Sequence, residues 1–291
     1  MRSFYSPLRY PGGKNCNFSF VSELIKENGL IGCKYIEPYA GGAGLALRLL
    51  YEEYVSEIIL NDYDPLVYAF WKTCQIKPQE LIEWVENVPI NIDSWFFYRE
   101  ILKNADVHKE FDLAKAFLFL NRTNISGIIR GGVIGGIEQL GKYKIDARFN
   151  RKTISNRILK FSKFSNRITI LNLDCIDFLN SIDKEDNDSL IYLDPPYYQK
   201  GANLYLNFYK EEDHVELAKL IPSISCNWLL SYDNCSFIKD LYNNFEVYSY
   251  DLNHSTSNKI GKELIVLDRN LSNRNSLNLL KNLNEIKCYV S

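Results

Sequence analysis

The sequence predicts an α/β chain, a mainly parallel sheet split by a mostly helical insertion, on three observations. Strand and helix signals alternate through the first sixty residues and resume near residue 168. Two strand signals run straight into loops of turn-forming residues. The stretch between, about 65–165, has helical periodicity and no strong strand signal. Taken in order, residues 17–28 read as a helix stopped by Gly29, and 34–37 as a short strand. Pro38-Tyr39-Ala40-Gly41-Gly42-Ala43-Gly44 follows, then a helical run over 45–54 and a second strand over 57–60 ending at Asn61-Asp62. This β-turn-α-β order is the unit of a parallel sheet. Residues 65–121 are helical and rich in aromatics (Trp71, Trp84, Trp95, Phe96, Phe97). Six glycines in 127–145 predict a hairpin or long loop, and 153–164 a basic helix. Strands are expected at 168–173, 190–193, 228–232, 245–252 and 264–267, with helices at 176–181, 211–221 and 236–243. The last two strands read as an antiparallel hairpin at a sheet edge. The domain reading is therefore 1–64 with 166–270 for the sheet, 65–165 for the insertion, and a polar, Asn-rich tail over 271–291.

The 291 residues and 33.9 kDa are ample for a sizeable core. With 46% hydrophobic and 24% charged residues the composition is that of an ordinary water-soluble protein. No run approaches the ~20 apolar residues of a membrane span, and the start, MRSFYSPLRYPGGK, lacks the apolar stretch of a secretion signal. No membrane partner is expected. Seven cysteines (16, 33, 74, 175, 226, 235, 288) form no C-x-x-C pair, and the three histidines (108, 214, 254) are far apart. That argues against a disulfide scaffold or a metal site and for the reducing cytoplasm. The net charge is −2, but residues 121–167 hold eleven Lys or Arg against two acids. This segment carries +9 and leaves −11 for the rest, as expected of a localised phosphate-binding surface. A solvated helix face beside a hairpin would leave the same pattern.

Two motifs carry chemistry. Glu37-Pro38-Tyr39-Ala40-Gly41-Gly42-Ala43-Gly44 follows a strand and opens a helix. There glycine lets the backbone turn and approach a ligand, and the helix N-terminus offers free N–H groups. Asp62 ends the next strand about twenty residues on, where a carboxylate can hold both ribose hydroxyls. The pair suggests an adenosine-containing cofactor, and the absent G-x-G-x-x-G disfavours NAD. The second motif, Asp194-Pro195-Pro196-Tyr197, follows the apolar strand Leu190-Ile191-Tyr192-Leu193. The prolines stiffen the backbone, so the Asp194 carboxylate and the Pro195 carbonyl are fixed acceptors, with Tyr197 a flat face beside them. Two acceptors and a ring suit an aromatic amine. A strand ending in a Pro-rich turn is the plainer alternative.

Leu8-Arg9-Tyr10-Pro11-Gly12-Gly13-Lys14, the Glu37–Gly44 loop, Asn61-Asp62 and Asp194–Tyr197, in this order, resemble the Dam-type DNA adenine methyltransferases of the alpha class. Asn121-Arg122-Thr123-Asn124-Ile125-Ser126-Gly127 and Arg148-Phe149-Asn150 are also similar to that family, over about residues 6–270. The resemblance implies a Rossmann-like methyltransferase sheet, a DNA-recognition insertion and S-adenosylmethionine as cofactor. It assigns Tyr10, Lys14, Glu37, Pro38, Tyr39, Ala40, Gly41, Gly42, Gly44, Asp62, Asp174, Phe149 and Asn150 to the cofactor site. Lys14 would neutralise either the methionine carboxylate or an active-site acid. Asp174 would meet the adenine amine or simply cap the helix that follows.

The implied reaction moves a methyl group to the exocyclic 6-amino group of adenine in double-stranded DNA. That nitrogen's lone pair is delocalised into the ring. Hydrogen bonds to Asp194 and to the Pro195 carbonyl would make it a better nucleophile, with no metal or covalent intermediate. The base must first be flipped out, at a cost of a few kcal/mol, and would stack on Tyr197 beside a loop over 198–209. Arg130 falls at a family position on the DNA-reading hairpin and would reach guanine or a phosphate. Arg122, Asn124, Ser126, Lys142, Lys144, Arg151, Lys152 and Arg157 would also face DNA, the basic ones as phosphate contacts. Gly131-Gly132-Val133-Ile134-Gly135-Gly136 departs from GATC-reading members and puts that target in doubt. Cytosine amine methylation, an RNA substrate and a catalytically silent DNA-binding homologue remain as other readings. A monomer is expected, and a cognate restriction endonuclease is left open.

Overall fold

The computed structural model describes residues 5–10, 12–182, 188–199, 209–253 and 260–286. They fall into two compact units. One holds Met1–Pro11 and Tyr63–Asn172, the other Gly12–Asp62 and Leu173–Ser291. The strands are β1 (Lys34–Glu37), β2 (Glu57–Asn61), β3 (Ile168–Leu171), β4 (Ser189–Leu193), β5 (Asn227–Asp233), β6 (Glu246–Asn253), β7 (Ile260–Leu267) and β8 (Asn284–Ile286). The helices needed below are α1 (Phe18–Glu27), α2 (Gly44–Tyr51), α3 (Pro65–Ile76), α4 (Pro78–Asn87), α5 (Ile92–Lys103), α6 (Glu110–Thr123), α7 (Arg151–Lys163) and α8 (Cys175–Ser181).

All strands but β3 lie in the second unit, in the order β2-β1-β4-β5-β7-β6-β8. The first four are parallel, in register Tyr35 with Ile58 and Leu190, and Ile191 with Trp228. β7 joins β5 antiparallel, pairing Ser231 with Ile265. Every residue of β4 is buried, as a strand covered on both faces must be, which is why it reads as one apolar run. The chain leaves β1 for β2 on one side, while β4 and β5 extend the other side. The order therefore reverses between β1 and β4. Open α/β sheets bind ligands outside the carboxyl ends of strands at such a point, and both sequence motifs sit there.

Two expectations change here. The β6–β7 hairpin is antiparallel as expected, but it is not at the sheet edge, because β8 of the supposed tail pairs with β6, Tyr248 opposite Glu285. The chain before β8 is tied to α1 as well. Glu27 accepts from the amides of Asn275 and Ser276, and the Asn28 side chain bonds both backbone groups of Ser272. Short polar side chains that bind backbone give no periodic signal.

The first unit is helical. Asp64 caps α3 by accepting from the Leu66 amide at 2.9 Å, with Pro65 opening the helix. Asn91 and Asn150 cap α5 and α7 in the same way. The core is aromatic. Trp71 stacks on Phe161 with ring centres 5.0 Å apart, and the Trp84 indole donates to the Tyr98 hydroxyl at 2.8 Å. The Gly-rich stretch is not a hairpin but a folded loop with one isolated bridge, Asn124 to Val133. Gly127, Gly135 and Gly136 have positive φ and turn the chain. The side chains of Asn124 and Gln139 accept or donate the backbone bonds that a ladder would otherwise make.

Candidate active site and nucleic-acid interface

The glycine loop is held from three sides. Asn61 is fully buried at the end of β2. Its Nδ2 donates to the carbonyls of Pro38 and Leu173, and its Oδ1 accepts from the Leu173 amide at 2.9 Å. Asp62 Oδ2 accepts from the Gly41 amide at 2.8 Å. Glu37 ends β1 and ties it to α2, accepting from the Tyr35 hydroxyl and the Ala46 amide. Burial drives the Glu37 carboxyl up to about 8, and the nearby charge of Asp194 adds to this, while those two hydrogen bonds oppose it. Gly41 and Ala43 adopt φ of 44° and 46°, so Ala43 holds a left-handed conformation at the start of α2. Pro38, Ala40 and Gly42 are buried within the loop, Gly44 opens α2, and the half-buried Tyr39 meets the Tyr209 hydroxyl at 2.7 Å. Asp174 accepts from the Ile176 amide at 2.8 Å, so it does cap α8.

At the end of β4 the structure brings the second motif together with Lys14. The ammonium of Lys14, nearly buried, lies 3.0 Å from Asp194 Oδ1, 2.9 Å from the Tyr197 hydroxyl and 3.3 Å from Glu263. Lys14 thus neutralises the motif's acid. Burial alone would lower its pKa, but Asp194 and Glu263 dominate, with Tyr197 and Tyr192 adding, and hold it well above the usual lysine value. Ser231 Oγ also donates to Asp194 Oδ1 at 2.8 Å, so both donors found among the described residues use one oxygen and none of them reaches Oδ2. The Asp194 side chain is 22% exposed. Burial raises its pKa and Lys14 opposes the rise. The Tyr197 hydroxyl donates to Glu263, and Pro195 and Tyr197 are buried with Pro196 between them half-buried. Asp233, ending β5, accepts from the amides of Tyr198 and Gln199 at 2.9 Å each and pins the chain beyond the motif. The expected loop at 198–209 lies largely outside the described residues.

The sequence reading missed Glu263, Asn17, Tyr192, Tyr250, Ser231 and Asp233. Asn17 Nδ2 donates to the hydroxyls of Tyr192 and Tyr250, and Tyr250 donates to Glu263. A charged residue set against the apolar run 264–267 was the available signal for Glu263.

In the helical unit the expected DNA-facing residues divide. Arg130, Lys142, Lys144 and Lys152 are exposed, as are Ile125, Ile137, Leu140 and Tyr143. Lys142 and Arg148 both lie near the Tyr143 ring, and Lys144 donates to the Gln139 carbonyl. Ser126 is half-buried at φ 57°. Three others are corrected. Asn124 has no exposed surface, accepts from the Trp95 indole at 2.7 Å and donates to the carbonyls of Ile128 and Ile129. Arg151 binds the Val85 and Val88 carbonyls at the end of α4, and Arg157 donates to the Ser6 carbonyl. All three are thus bound to backbone carbonyls of their own unit. Arg122 differs from them. It is buried, its Nε has no hydrogen-bond partner among the described residues, and burial plus Arg157 and Arg9 brings its pKa down to about 9. Of the residues assigned to the cofactor, Tyr10, Phe149 and Asn150 belong to this unit. Phe149 packs near Phe119 and Trp84, and Asn150 is the cap of α7.

No helix among the described residues is long and apolar enough to cross a membrane, and no cluster of three His, Cys, Asp or Glu there could hold a metal. Residues 10–256 match the family described as D12 class N6 adenine-specific DNA methyltransferase. The chain is 26% identical over 266 residues to type II methyltransferase M.MjaIII of Methanocaldococcus jannaschii, covering 82% of this chain and 88% of that one. It is 24% identical to the retron Ec67 DNA adenine methylase of Escherichia coli, covering 82% and 80%. It is likewise 24% identical to type II methyltransferase M.CviBI of Paramecium bursaria Chlorella virus NC1A, covering 88% and 95%.

Proposed function

Because the chain belongs to the D12 class of N6 adenine-specific DNA methyltransferases, we propose that Asp194 and the Pro195 carbonyl bind the adenine amine at the end of β4. The observation that carries this is the sharing of Asp194 Oδ1 by Lys14 and Ser231, which leaves Oδ2 to accept from an amine. Two hydrogen bonds from the amine would draw density onto its nitrogen and orient it for in-line attack. Tyr197, anchored through its hydroxyl, would stack on a base flipped from double-stranded DNA.

S-adenosylmethionine is the proposed cofactor. The loop from Pro38 to Gly44 offers backbone N–H groups at the start of α2, and the Asp62 carboxylate lies beside it for a ribose. When bound, this cofactor supplies an electrophilic methyl group on a positively charged sulfur. Asp174 would remain a cap while its carboxylate faces the adenine ring of the cofactor. Arg122, buried with an unpartnered Nε beside other arginines, favours a phosphate ligand, as buried charges are otherwise paired. Exposed Arg130, Lys142, Lys144 and Lys152 extend that surface, with Arg130 the candidate base reader. The enzyme acts as a monomer in this reading.

The test is methyl transfer from labelled S-adenosylmethionine to genomic DNA free of methyladenine, followed by modification-sensitive sequencing. Methylated adenine in one short motif is expected. Asp194→Ala should abolish incorporation and leave cofactor binding within about threefold. Wild-type incorporation by that variant would overturn the assignment.

A further inference from the structure

Glu263 and Asp233 are carboxylates at the site that none of the sequence motifs includes, and Glu263 is the one that meets Lys14. It stands on β7, next to β5 and its Asp233, and is 2% exposed. It accepts three kinds of donor at once: the Lys14 ammonium, the Tyr197 hydroxyl and the Tyr250 hydroxyl. The Tyr250 hydroxyl is in turn held by Asn17, whose backbone begins the helix that follows Lys14. A buried carboxylate costs stability unless it is paired and hydrogen-bonded, and here three donors serve its two oxygens. Two of those donors, Lys14 and Tyr197, are the groups that touch or flank Asp194.

We propose that Glu263 is a positioning residue for methyl transfer: it holds the Lys14 ammonium against Asp194 and sets the angle of the Tyr197 ring. The inference rests on the reading of Asp194 and Tyr197 given above. Without Glu263 the ammonium would swing onto Asp194 alone, and the Tyr197 hydroxyl would lose its acceptor. The amine would then meet a less open carboxylate and a looser stacking face. The charges that bear on Asp194 are those of Lys14 and Glu263, while Glu37, Tyr35, Tyr192 and Cys16 are titratable neighbours whose own pKa values its charge raises. Of these, Glu263 is a negative neighbour that raises the Asp194 pKa, so removing its charge makes Asp194 ionise at lower pH.

The experiment compares single-turnover methylation by the full chain and by Glu263→Gln, Glu263→Asp, Tyr197→Phe and Asp194→Ala across pH 5 to 9. S-adenosylmethionine binding is measured by calorimetry on each. For Glu263→Gln the expected result is a rate about 10- to 100-fold lower at neutral pH, with cofactor affinity within threefold. Its acid limb should also move down by about 0.5 pH unit or more. Glu263→Asp keeps the charge, so it loses rate without moving the limb. Tyr197→Phe loses rate too, and its combination with Glu263→Gln costs less than the product of the two. Unchanged rate and limb in Glu263→Gln, or a rate loss matched by loss of cofactor binding or of fold, overturns the proposal. If Asp194→Ala is active, the site reading itself falls. If Asp194→Ala is inactive and Glu263→Gln behaves as wild type, only the role of Glu263 falls.

Discussion

Replacing Glu37 by Gln should change how stability depends on pH, in a direction that follows from its surroundings. The Glu37 carboxyl is buried at the end of β1 and titrates at about 8, against an ordinary value of 4.5. The folded chain thus binds this proton more tightly than the unfolded chain. The stabilisation is complete below pH 4.5, and it is lost as pH rises through that value towards 8. Linkage puts the loss at about 4 kcal/mol between pH 5 and pH 9, of which about 1.4 kcal/mol falls between pH 7 and pH 9. Gln is nearly isosteric and keeps an acceptor for the Tyr35 hydroxyl and the Ala46 amide. At pH 5 the two proteins should therefore agree to within about 1 kcal/mol. At pH 9 the variant should be the more stable by roughly the linkage term. Urea unfolding of both proteins at pH 5, 7 and 9 measures the difference, in which groups common to both cancel. A difference that stays flat across the range would refute the argument that Glu37 is folded in its protonated form.

Further outcomes follow from the helical unit. Asn124→Leu removes the acceptor of the Trp95 indole and the donor to two carbonyls, so it should cost about 2–4 kcal/mol in thermal unfolding. Lys142→Ala and Lys152→Ala should each reduce the slope of log affinity for DNA against log salt by about 1 without changing Tm. Arg151→Ala should instead lower stability by about 1–3 kcal/mol and leave that slope unchanged, because its guanidinium is bound to Val85 and Val88. Gly127→Ala should fold poorly on expression, since Gly127 has φ 77° and a Cβ there would lie 2.1 Å from the Arg9 carbonyl oxygen.

What the sequence made legible is local. β1, α2 and β2 follow from an apolar strand, a glycine turn and a helical run within thirty residues, and β4 from five buried residues before two prolines. Asp62 and Asp194 were found because strand ends at a parallel sheet are where ligands bind. The sequence allows a hairpin or a long loop in the Gly-rich stretch, and places a DNA-reading hairpin there only by resemblance, because glycine and β-branched residues give the same composition in either form. Only side chains such as Asn124 and Gln139, which take over the backbone bonds, tell them apart. β8 was missed because three largely exposed residues, two of them polar, are too short a run to show alternation. Arg151 and Arg157 were counted as phosphate contacts from charge alone. Charge does not reveal that a carbonyl lies within reach.

Glu263 lay furthest from view, and the reason is physical. Its partners Lys14, Tyr197 and Tyr250 are separated from it by 249, 66 and 13 positions, so no spacing rule connects them. A lysine buried to this extent needs compensating charge; Asp194 supplies part of it through Oδ1, at 3.0 Å, and Glu263 supplies more at 3.3 Å. Glu263 and the Tyr197 hydroxyl take the ammonium's other hydrogen bonds, and Ser231 shares Asp194 Oδ1 with it. The cluster of one cation and two anions is then formed before any ligand arrives. That arrangement makes an oriented acceptor at no cost of reorganisation during reaction. It also explains why a glutamate outside every motif is buried at the head of the apolar run Leu264-Ile265-Val266-Leu267.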